Sequence, residues 1–166
     1  KYSVSALFLV LLGAVCAYAA QQSAIPSRKD VQKLYKDGNY NEAYDGYRRL
    51  ALDKNADPTK VGEDLSNALN CLQRLNRVNE VDELREEVIA LHNQNWRLLE
   101  AAAMTLRHGQ HYGFMIAGEF QRGQHRGGGE HAGCYQRDRV RALQLMQQAL
   151  PLLKNEPNHN DVARFY

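Results

Sequence analysis

A helical turn motif occurs twice in this chain, and this recurrence constrains the fold more than any other feature of the sequence. The first copy, GNYNEA, begins at Gly38, and the second, NRVNEV, begins at Asn76. Gly and Asn tolerate the left-handed backbone conformation in which many helices end. Each copy therefore predicts the end of one helix, a tight turn and the start of the next helix, which together form a helical hairpin.

Small and aromatic side chains follow the first turn at the spacing of one helix face. These residues are Tyr40, Ala43, Tyr47 and Leu50. Their separation of three or four positions predicts a helix over 40–52 with this face buried, and a preceding helix is predicted over 28–37. The two helices form the first hairpin.

The same periodicity predicts four further helices, and a glycine-rich segment interrupts them. The helices are expected over 59–75, 78–92, 96–107 and 137–153. Glycine is too frequent between 108 and 136 for a helix interior, so we predict an irregular insertion there. Its apolar part, 114–120, is expected to be a short strand or a packed loop. The fold class is therefore all-α, with antiparallel helical hairpins and a Gly-rich insertion in the third hairpin.

The first residues have the composition of a secretory signal peptide. Lys1 is followed by an apolar run over 6–15 and by the small residues Ala17 and Ala19, which is the pattern of a cleaved signal. We predict cleavage after Ala19 (signal peptide 1–19), a linker over 20–27 and a helical domain over 28–166. The apolar run is shorter than the roughly 20 residues of a membrane span. An exported protein, periplasmic or extracellular and without a membrane anchor after cleavage, is expected.

The end of the chain has the pattern of a helix that has only begun. Asn160 or Asp161 is suited to cap a helix whose apolar residues include Val162 and Phe165. We therefore interpret the chain as the N-terminal fragment of a longer protein.

Two cysteines remain after the signal peptide, and two states are open to them. Cys71 lies among leucines in a helical pattern, where a free cysteine behaves as a small hydrophobic residue. We predict that Cys71 and Cys134 are free thiols. The alternative is a disulfide between them, which an exported protein is able to form.

Neither nucleic-acid binding nor catalysis is indicated by the residues. The formal net charge is only +2. Arg137, Arg139 and Arg141 occupy alternate positions, which do not share one helix face, and few aromatic residues accompany them for base stacking. No catalytic motif stands out, so we expect no enzyme activity, no cofactor and no nucleic-acid partner.

The insertion over 108–136 concentrates residues that bind ligands. An anion-binding interpretation uses Arg122 and Arg126, together with backbone N–H groups of a glycine nest. The residues of this candidate site are Arg122, His125, Arg126, Gly127, Gly128 and Gly129. Long insertions within compact domains are usually functional or disordered.

Two other interpretations of the insertion remain open. A metal site would use His125, His131 and Cys134, with Glu130 or His111 as a further ligand, although structural zinc sites have tighter paired spacing. In the last interpretation the glycines allow a tight loop, and its Arg and His side chains are solvated or bonded to helix ends.

The first hairpin resembles a tetratricopeptide (TPR) unit. Ala43 and Tyr47 match the A-x3-F spacing of the second TPR helix, and Ala142 and Met146 repeat that spacing. The first helix departs from the pattern, since Asp30, Val31 and Leu34 stand where Leu, Gly and Tyr are usual. The resemblance implies an α-solenoid with an exposed face for a peptide, a protein or a downstream domain of the same chain.

One tyrosine of the second helix is our candidate for contact with such a partner. Tyr44 lies off the stripe formed by Tyr40 and Tyr47, so its ring is expected to face a binding groove. A plain surface position is the alternative.

A longer stretch of the chain resembles the N-terminal helical region of exported bacterial alpha-2-macroglobulin-like proteins of the planctomycete type. The matching segments are GFMIAGEFQRGQHRGGG over 113–129, RDRVRALQLM over 137–146 and NWRLL over 95–99. The resemblance implies a non-enzymatic docking module at the front of a protein that traps proteases. The alternatives are an anion- or metal-binding module built on the insertion, and the scaffold of an exported enzyme whose active site lies further along the chain.

Overall fold

A computed structural model describes residues 25–166 of the chain, and this part is mostly helical. The helices are α1 (Arg28–Lys36), α2 (Tyr40–Ala51), α3 (Val61–Arg74), α4 (Val81–Leu91), α5 (Trp96–His108), α6 (Tyr135–Ala149) and α7 (His159–Phe165). The strands are β1 (Tyr112–Ile116), β2 (Glu119–Arg122) and β3 (Glu130–Gly133). Short 3-10 helices cover Val78–Glu80 and Leu150–Asn155. The predicted signal peptide 1–19 lies outside the described residues, as does the predicted linker 20–27 except for its last three residues.

Both predicted turns are present. Gly38 has φ 82° and Asn76 has φ 58°, which is the left-handed conformation expected there. The N–H of Asn39 donates to the carbonyl of Leu34 at 2.9 Å, and the N–H of Arg77 donates to Leu72 at 2.8 Å. These hydrogen bonds close the ends of α1 and α3, so the recurring motif does mark helix ends.

The hydrophobic core follows the helix order. α2 packs between α1 and α3, α3 packs on α5, and α5 packs on α6. The largest fully buried apolar side chains come from α3, α5 and α6, and include Leu65, Leu72, Leu98, Leu99 and Leu145. The apolar stripes that predicted these helices therefore face one continuous core.

The closest approach of α3 and α5 depends on a glycine. A Cβ added at Gly62 would lie 2.7 Å from the Cβ of Ala101 and 3.3 Å from the carbonyl oxygen of Arg97. Only a residue without a side chain allows the two backbones to come this close. This contact sets the separation of the two helices.

The insertion contains a small sheet, which corrects the prediction of an irregular insertion in an otherwise helical fold. β1 pairs antiparallel with β2 and with β3, so the strand order is β2-β1-β3. The segment 114–120, predicted as a strand or loop, is most of a β-hairpin. Its turn residues Ala117 and Gly118 have φ 51° and 86°, the signs that a two-residue hairpin turn requires.

Several predicted element ends need correction. The helix predicted over 78–92 begins as a 3-10 turn, and the one predicted over 137–153 starts earlier and ends in a 3-10 turn. The final helix is capped by Asn158, whose side chain accepts hydrogen bonds from the N–H groups of Asn160 and Asp161. The predicted cap at Asn160 or Asp161 is therefore two or three residues too late.

The structure also bears on the cysteines and on membrane spans. Cys71 and Cys134 are both free and buried, which confirms the prediction of two thiols. Between residues 25 and 166, no helix has the length and apolar character needed to cross a bilayer.

We expect Gly62→Val to destabilise the protein by about 1–3 kcal/mol, because the added side chain overpacks the contact between α3 and α5. Urea unfolding followed by circular dichroism measures this difference. Gly128→Val is the control, since a Cβ at Gly128 meets nothing within 4 Å, and we expect it to stay within about 0.5 kcal/mol of the wild type. Equal stability of the two variants would contradict the described approach of the helices.

Candidate functional site

An open groove of about 570 Å³ lies between α3 and α5. One wall is the exposed face of α3, and the other is the facing side of α5. The residues of the two walls include Gly62, Ser66, Asn70, Gln73, Arg97, Glu100, Ala101, Met104 and His108. Within each helix they recur every three or four positions, so each wall is a single helix face. Gly62 and Ala101 form the narrow floor.

The groove presents polar groups that have no partner in the described part of the chain. The side-chain amides of Asn70 and Gln73 are exposed, and neither makes a hydrogen bond there. Glu100 is half-buried on the opposite wall, also without an ion pair. A carboxamide carries both a donor and an acceptor, as a peptide group does. The groove is therefore suited to an extended polypeptide backbone.

Arg97 is already engaged at one end of the groove. Its guanidinium donates to Glu156 and Asp161, each at 2.6 Å, and stacks over the ring of Trp96 at 4.3 Å. The indole N–H of Trp96 donates to the same Glu156 carboxylate at 2.9 Å. The hydrogen bonds from Arg97 and Trp96 lower the pKa of Glu156 to about 2. These contacts fix α7 across the end of α5.

The other end of the groove is closed by a set of charged side chains, called the ion cluster. Its members are Arg122, Asp82, Asp138, Arg85, Arg137 and His111. Arg122 of β2 donates two hydrogen bonds to Asp138 of α6, both at 2.8 Å. It also donates to Asp82 of α4, at 3.0 and 3.1 Å, and to the carbonyl of Gln110. The guanidinium of Arg122 thus ties the insertion to two helices of the core.

Further side chains complete this cluster. Arg85, which is buried, donates to Asp82 at 2.7 Å and to the hydroxyl of Thr105 at 2.9 Å. Arg137 donates to Asp82 at 2.7 Å and lies 4.4 Å from the centre of the Phe120 ring. The ring nitrogen Nδ1 of His111 lies 3.0 Å from Asp138 Oδ2. Each buried charge has a partner of opposite sign, which the low polarity of the site requires.

The cluster strongly favours the ionised form of its carboxylates. Burial alone would raise the pKa of Asp138, but hydrogen bonds from Arg122 and His111 outweigh burial and hold that pKa well below its usual range. Burial likewise opposes the charge of Arg122, yet its bonds to Asp138 and Asp82 raise the pKa of the guanidinium. The carboxylates and the guanidinium therefore each stabilise the charged form of the other.

His111, Cys134 and Asp138 place three potential metal ligands within 4.8 Å of one another. However, Arg122 Nη1 lies 3.3 Å from Cys134 Sγ and 2.8 Å from Asp138 Oδ2. The guanidinium therefore sits where a metal ion would have to bind. Burial raises the pKa of the Cys134 thiol, so the thiol stays protonated near neutral pH and is poorly suited to act as a ligand or nucleophile.

The predicted anion site is not assembled as the sequence suggested. Arg122 and Arg126 do not converge: Arg122 is buried in the ion cluster, whereas Arg126 is exposed. Arg122 ends β2 and is held by Asp82 and Asp138, whereas Arg126 lies beyond the strand. The remaining residues of the prediction, His125, Gly127, Gly128 and Gly129, lie beside Arg126 in the segment before β3, and the three glycines are exposed.

The histidines predicted as metal ligands are also separated from Cys134. His125 and His131 both lie against the Phe114 ring, with ring centres 6.2 and 5.6 Å away. His131 also stacks on Tyr112 at 6.2 Å. Cys134, by contrast, is buried in the ion cluster. The predicted set His125, His131 and Cys134 is therefore not brought together.

Tyr44 is buried, so the prediction that it faces a groove is wrong. Its exposed fraction is only 6%. α2 packs between α1 and α3, so its buried face is wider than the apolar stripe that the sequence shows. In addition, the guanidinium of Arg77 lies over the Tyr44 ring at 4.7 Å.

Sequence reasoning did not identify the polar residues of the groove. Ser66, Asn70 and Gln73 recur at helical spacing, which is a detectable signal. A solvated helix face has the same pattern, however, so the groove is recognisable only once α3 and α5 are placed side by side.

No protein-family model matches this chain, and comparisons with curated proteins and with solved structures found no match. The geometry of the groove and of the ion cluster therefore carries the functional argument.

We expect Asp138→Asn to lower the free energy of unfolding by roughly 3 kcal/mol at pH 7, near the lower end for breaking a buried ion pair, because Asp82 still faces Arg122. The folded-state pKa of Asp138 is lowered, so its contribution is complete above the unfolded value of roughly 3.9 and is lost as the pH falls further. Denaturant unfolding should show the full difference at pH 5 and a shrinking one below pH 4.

Arg48→Met is the control for this measurement. Arg48 and Glu87 form an exposed ion pair at 3.0 Å, and such pairs contribute at most about 1 kcal/mol. A loss of similar size in the two variants would mean that the buried cluster stabilises the fold no more than a surface pair does.

Proposed function

We propose that this chain is a non-enzymatic docking module that binds an extended peptide segment in the groove between α3 and α5. One observation carries the proposal: within residues 25–166, the amides of Asn70 and Gln73 have no hydrogen-bond partner, and the carboxylate of Glu100 opposite them has no ion pair. Polar groups that lack partners in a concave site are the usual means of orienting a ligand.

The order of the helices supports a TPR-like solenoid as the architecture of this module. Helical hairpins follow one another along the chain, and the turns at Gly38 and Asn76 recur in phase. Stacked hairpins of this kind create extended concave surfaces that hold peptides or neighbouring domains.

The walls of the groove indicate the chemistry of the peptide. The amides of Asn70 and Gln73 are able to pair with its backbone, which leaves sequence preference to other groups. Glu100 favours a basic side chain, and the exposed Met104 favours an apolar one beside it. An extended segment with a basic residue next to an apolar residue is the ligand that fits these groups.

The ion cluster supports a structural role and not a catalytic one. Cys134, His111 and Asp138 are the residue types of a nucleophilic site, but Asp138 and Cys134 are buried and bonded to Arg122. A substrate has no exposed nucleophile to reach there.

The resemblance to alpha-2-macroglobulin-like proteins supports a second level of the proposal. In such a protein this module would be exported and would dock a downstream domain or a partner of the protease trap. Determination of the complete reading frame tests this point. Continuation into β-rich macroglobulin domains supports it, and a frame that closes after one more helix contradicts it.

Peptide selection tests the groove itself. Random dodecapeptides displayed on phage are selected against the chain, and the affinity of the enriched peptides is measured by calorimetry. We expect Asn70→Ala or Gln73→Ala to weaken binding at least about tenfold, a loss of about 1.4 kcal/mol. Glu100→Gln should weaken chiefly the peptides that contain a basic residue.

Gln32→Ala is the matched control, because Gln32 is an exposed amide on α1 away from the groove. Its variant should bind as the wild type does. If Asn70→Ala, Gln73→Ala and Glu100→Gln all leave the affinity of the enriched peptides unchanged, the groove is not the binding site.

A further inference from the structure

A second groove, of about 520 Å³, lies between α5 and α6. Its apolar lining comes from both helices and comprises Ala103, Met104, Leu106, Tyr135, Ala142, Leu143 and Met146. Met104 and His108 line both grooves, so they form the ridge between them. The first groove is rich in amides and charges, whereas the walls of this one are mainly apolar.

Large apolar side chains are exposed along this groove. The exposed fractions are 37% for Met104, 55% for Tyr135 and 56% for Leu143. Scattered exposed apolar residues are normal on a protein surface, but a contiguous patch of them is typical of an interaction site. Here three such residues line a single concavity.

A helix already lies across the other end of α5 and α6. Phe165 of α7 packs edge-to-face on Trp96, with ring centres 5.9 Å apart. Val162 of the same helix lies with Leu150 and Leu153, just after the end of α6. α7 therefore covers apolar side chains at this end, whereas Met104, Tyr135 and Leu143 in the apolar groove remain exposed.

Two cations flank the apolar groove. Arg107 and Arg139 line it, one from each helix. Both are exposed, and neither has an ion-pair partner in the part of the chain that the structure describes. By contrast, Arg141, two residues after Arg139, forms an ion pair with Glu86, with 2.5 Å between its Nη2 and Glu86 Oε2. The unpaired arginines give the rim of this groove a positive charge.

We propose that the groove between α5 and α6 binds an amphipathic helix of a partner protein, with an apolar stripe flanked by acidic residues. The stripe would contact Met104, Leu143 and Met146, as helices packed in a groove do through side chains three and four positions apart. The acidic flanks would pair with Arg107 and Arg139. This surface shares Met104 and His108 with the proposed peptide groove, and Leu143, Met146 and Arg139 belong to the apolar groove alone.

The test uses a designed 15-residue helical peptide with leucines at helical spacing and glutamates on both flanks. A second peptide carries lysine in place of each glutamate. Fluorescence anisotropy with the full chain should show saturable binding of the acidic peptide, at least tenfold tighter than the basic one. The preference should shrink as salt is added, because the charges are exposed.

Substitutions on α6 locate the binding site without altering the first groove. We expect Leu143→Asp and Arg139→Glu each to weaken the acidic peptide at least fivefold. Val140→Asp is the control for Leu143, since Val140 is 53% exposed on another side of α6. Arg126→Glu is the control for Arg139, since Arg126 is exposed in the insertion. Thermal melting confirms that all four variants fold.

Each other outcome overturns the proposal. Absence of saturable binding, equal affinity for the basic peptide, or equal losses in the control variants excludes an acidic amphipathic helix from this groove. Sedimentation velocity measures whether the chain forms a dimer. A dimer that Leu143→Asp abolishes would assign the groove to a second copy of the chain. Asn70→Ala should leave the acidic helix bound, so this test is independent of the peptide groove.

Discussion

The enclosure of one guanidinium by two carboxylates is the interaction on which the arrangement of this protein depends. Arg122 belongs to the inserted sheet, Asp82 to α4 and Asp138 to α6, so a single buried cation joins three segments that are distant along the chain. Charges buried in this way are tolerated only when their partners are held in place. The cluster therefore fixes where the sheet sits, and with it the ends of α5 and α6, which form the apolar groove and one wall of the peptide groove.

Parts of this fold follow directly from local sequence. Gly38 and Asn76 predicted the helix ends, because the left-handed conformation is a local property that few residues adopt readily. Leucines at helical spacing predicted the core, because burial of one face is periodic. The sheet was missed for the converse reason: its turn is Ala117-Gly118 rather than a strong hairpin pair, and the many glycines around it indicated a loop.

The candidate sites were harder to predict because they depend on contacts between distant residues. Arg122 lies 40 positions from Asp82, and no local pattern shows that this arginine pairs inward while Arg126, four residues later, remains in solvent. Tyr44 was predicted to lie off the buried face, because its cover comes partly from Arg77, a distant residue in the turn after α3. Sequence periodicity identifies which residues share a face, but it does not identify what lies opposite that face.

The ridge formed by Met104 and His108 has a consequence for the two grooves that it separates. Methionine is flexible and adapts its shape to whatever lies beside it, so a ligand that fixes Met104 on one side changes the wall of the other groove. Any such effect is a coupling free energy, and thermodynamic linkage makes it reciprocal. A peptide that strengthened helix docking would itself be held more tightly by the docked helix, by the same factor.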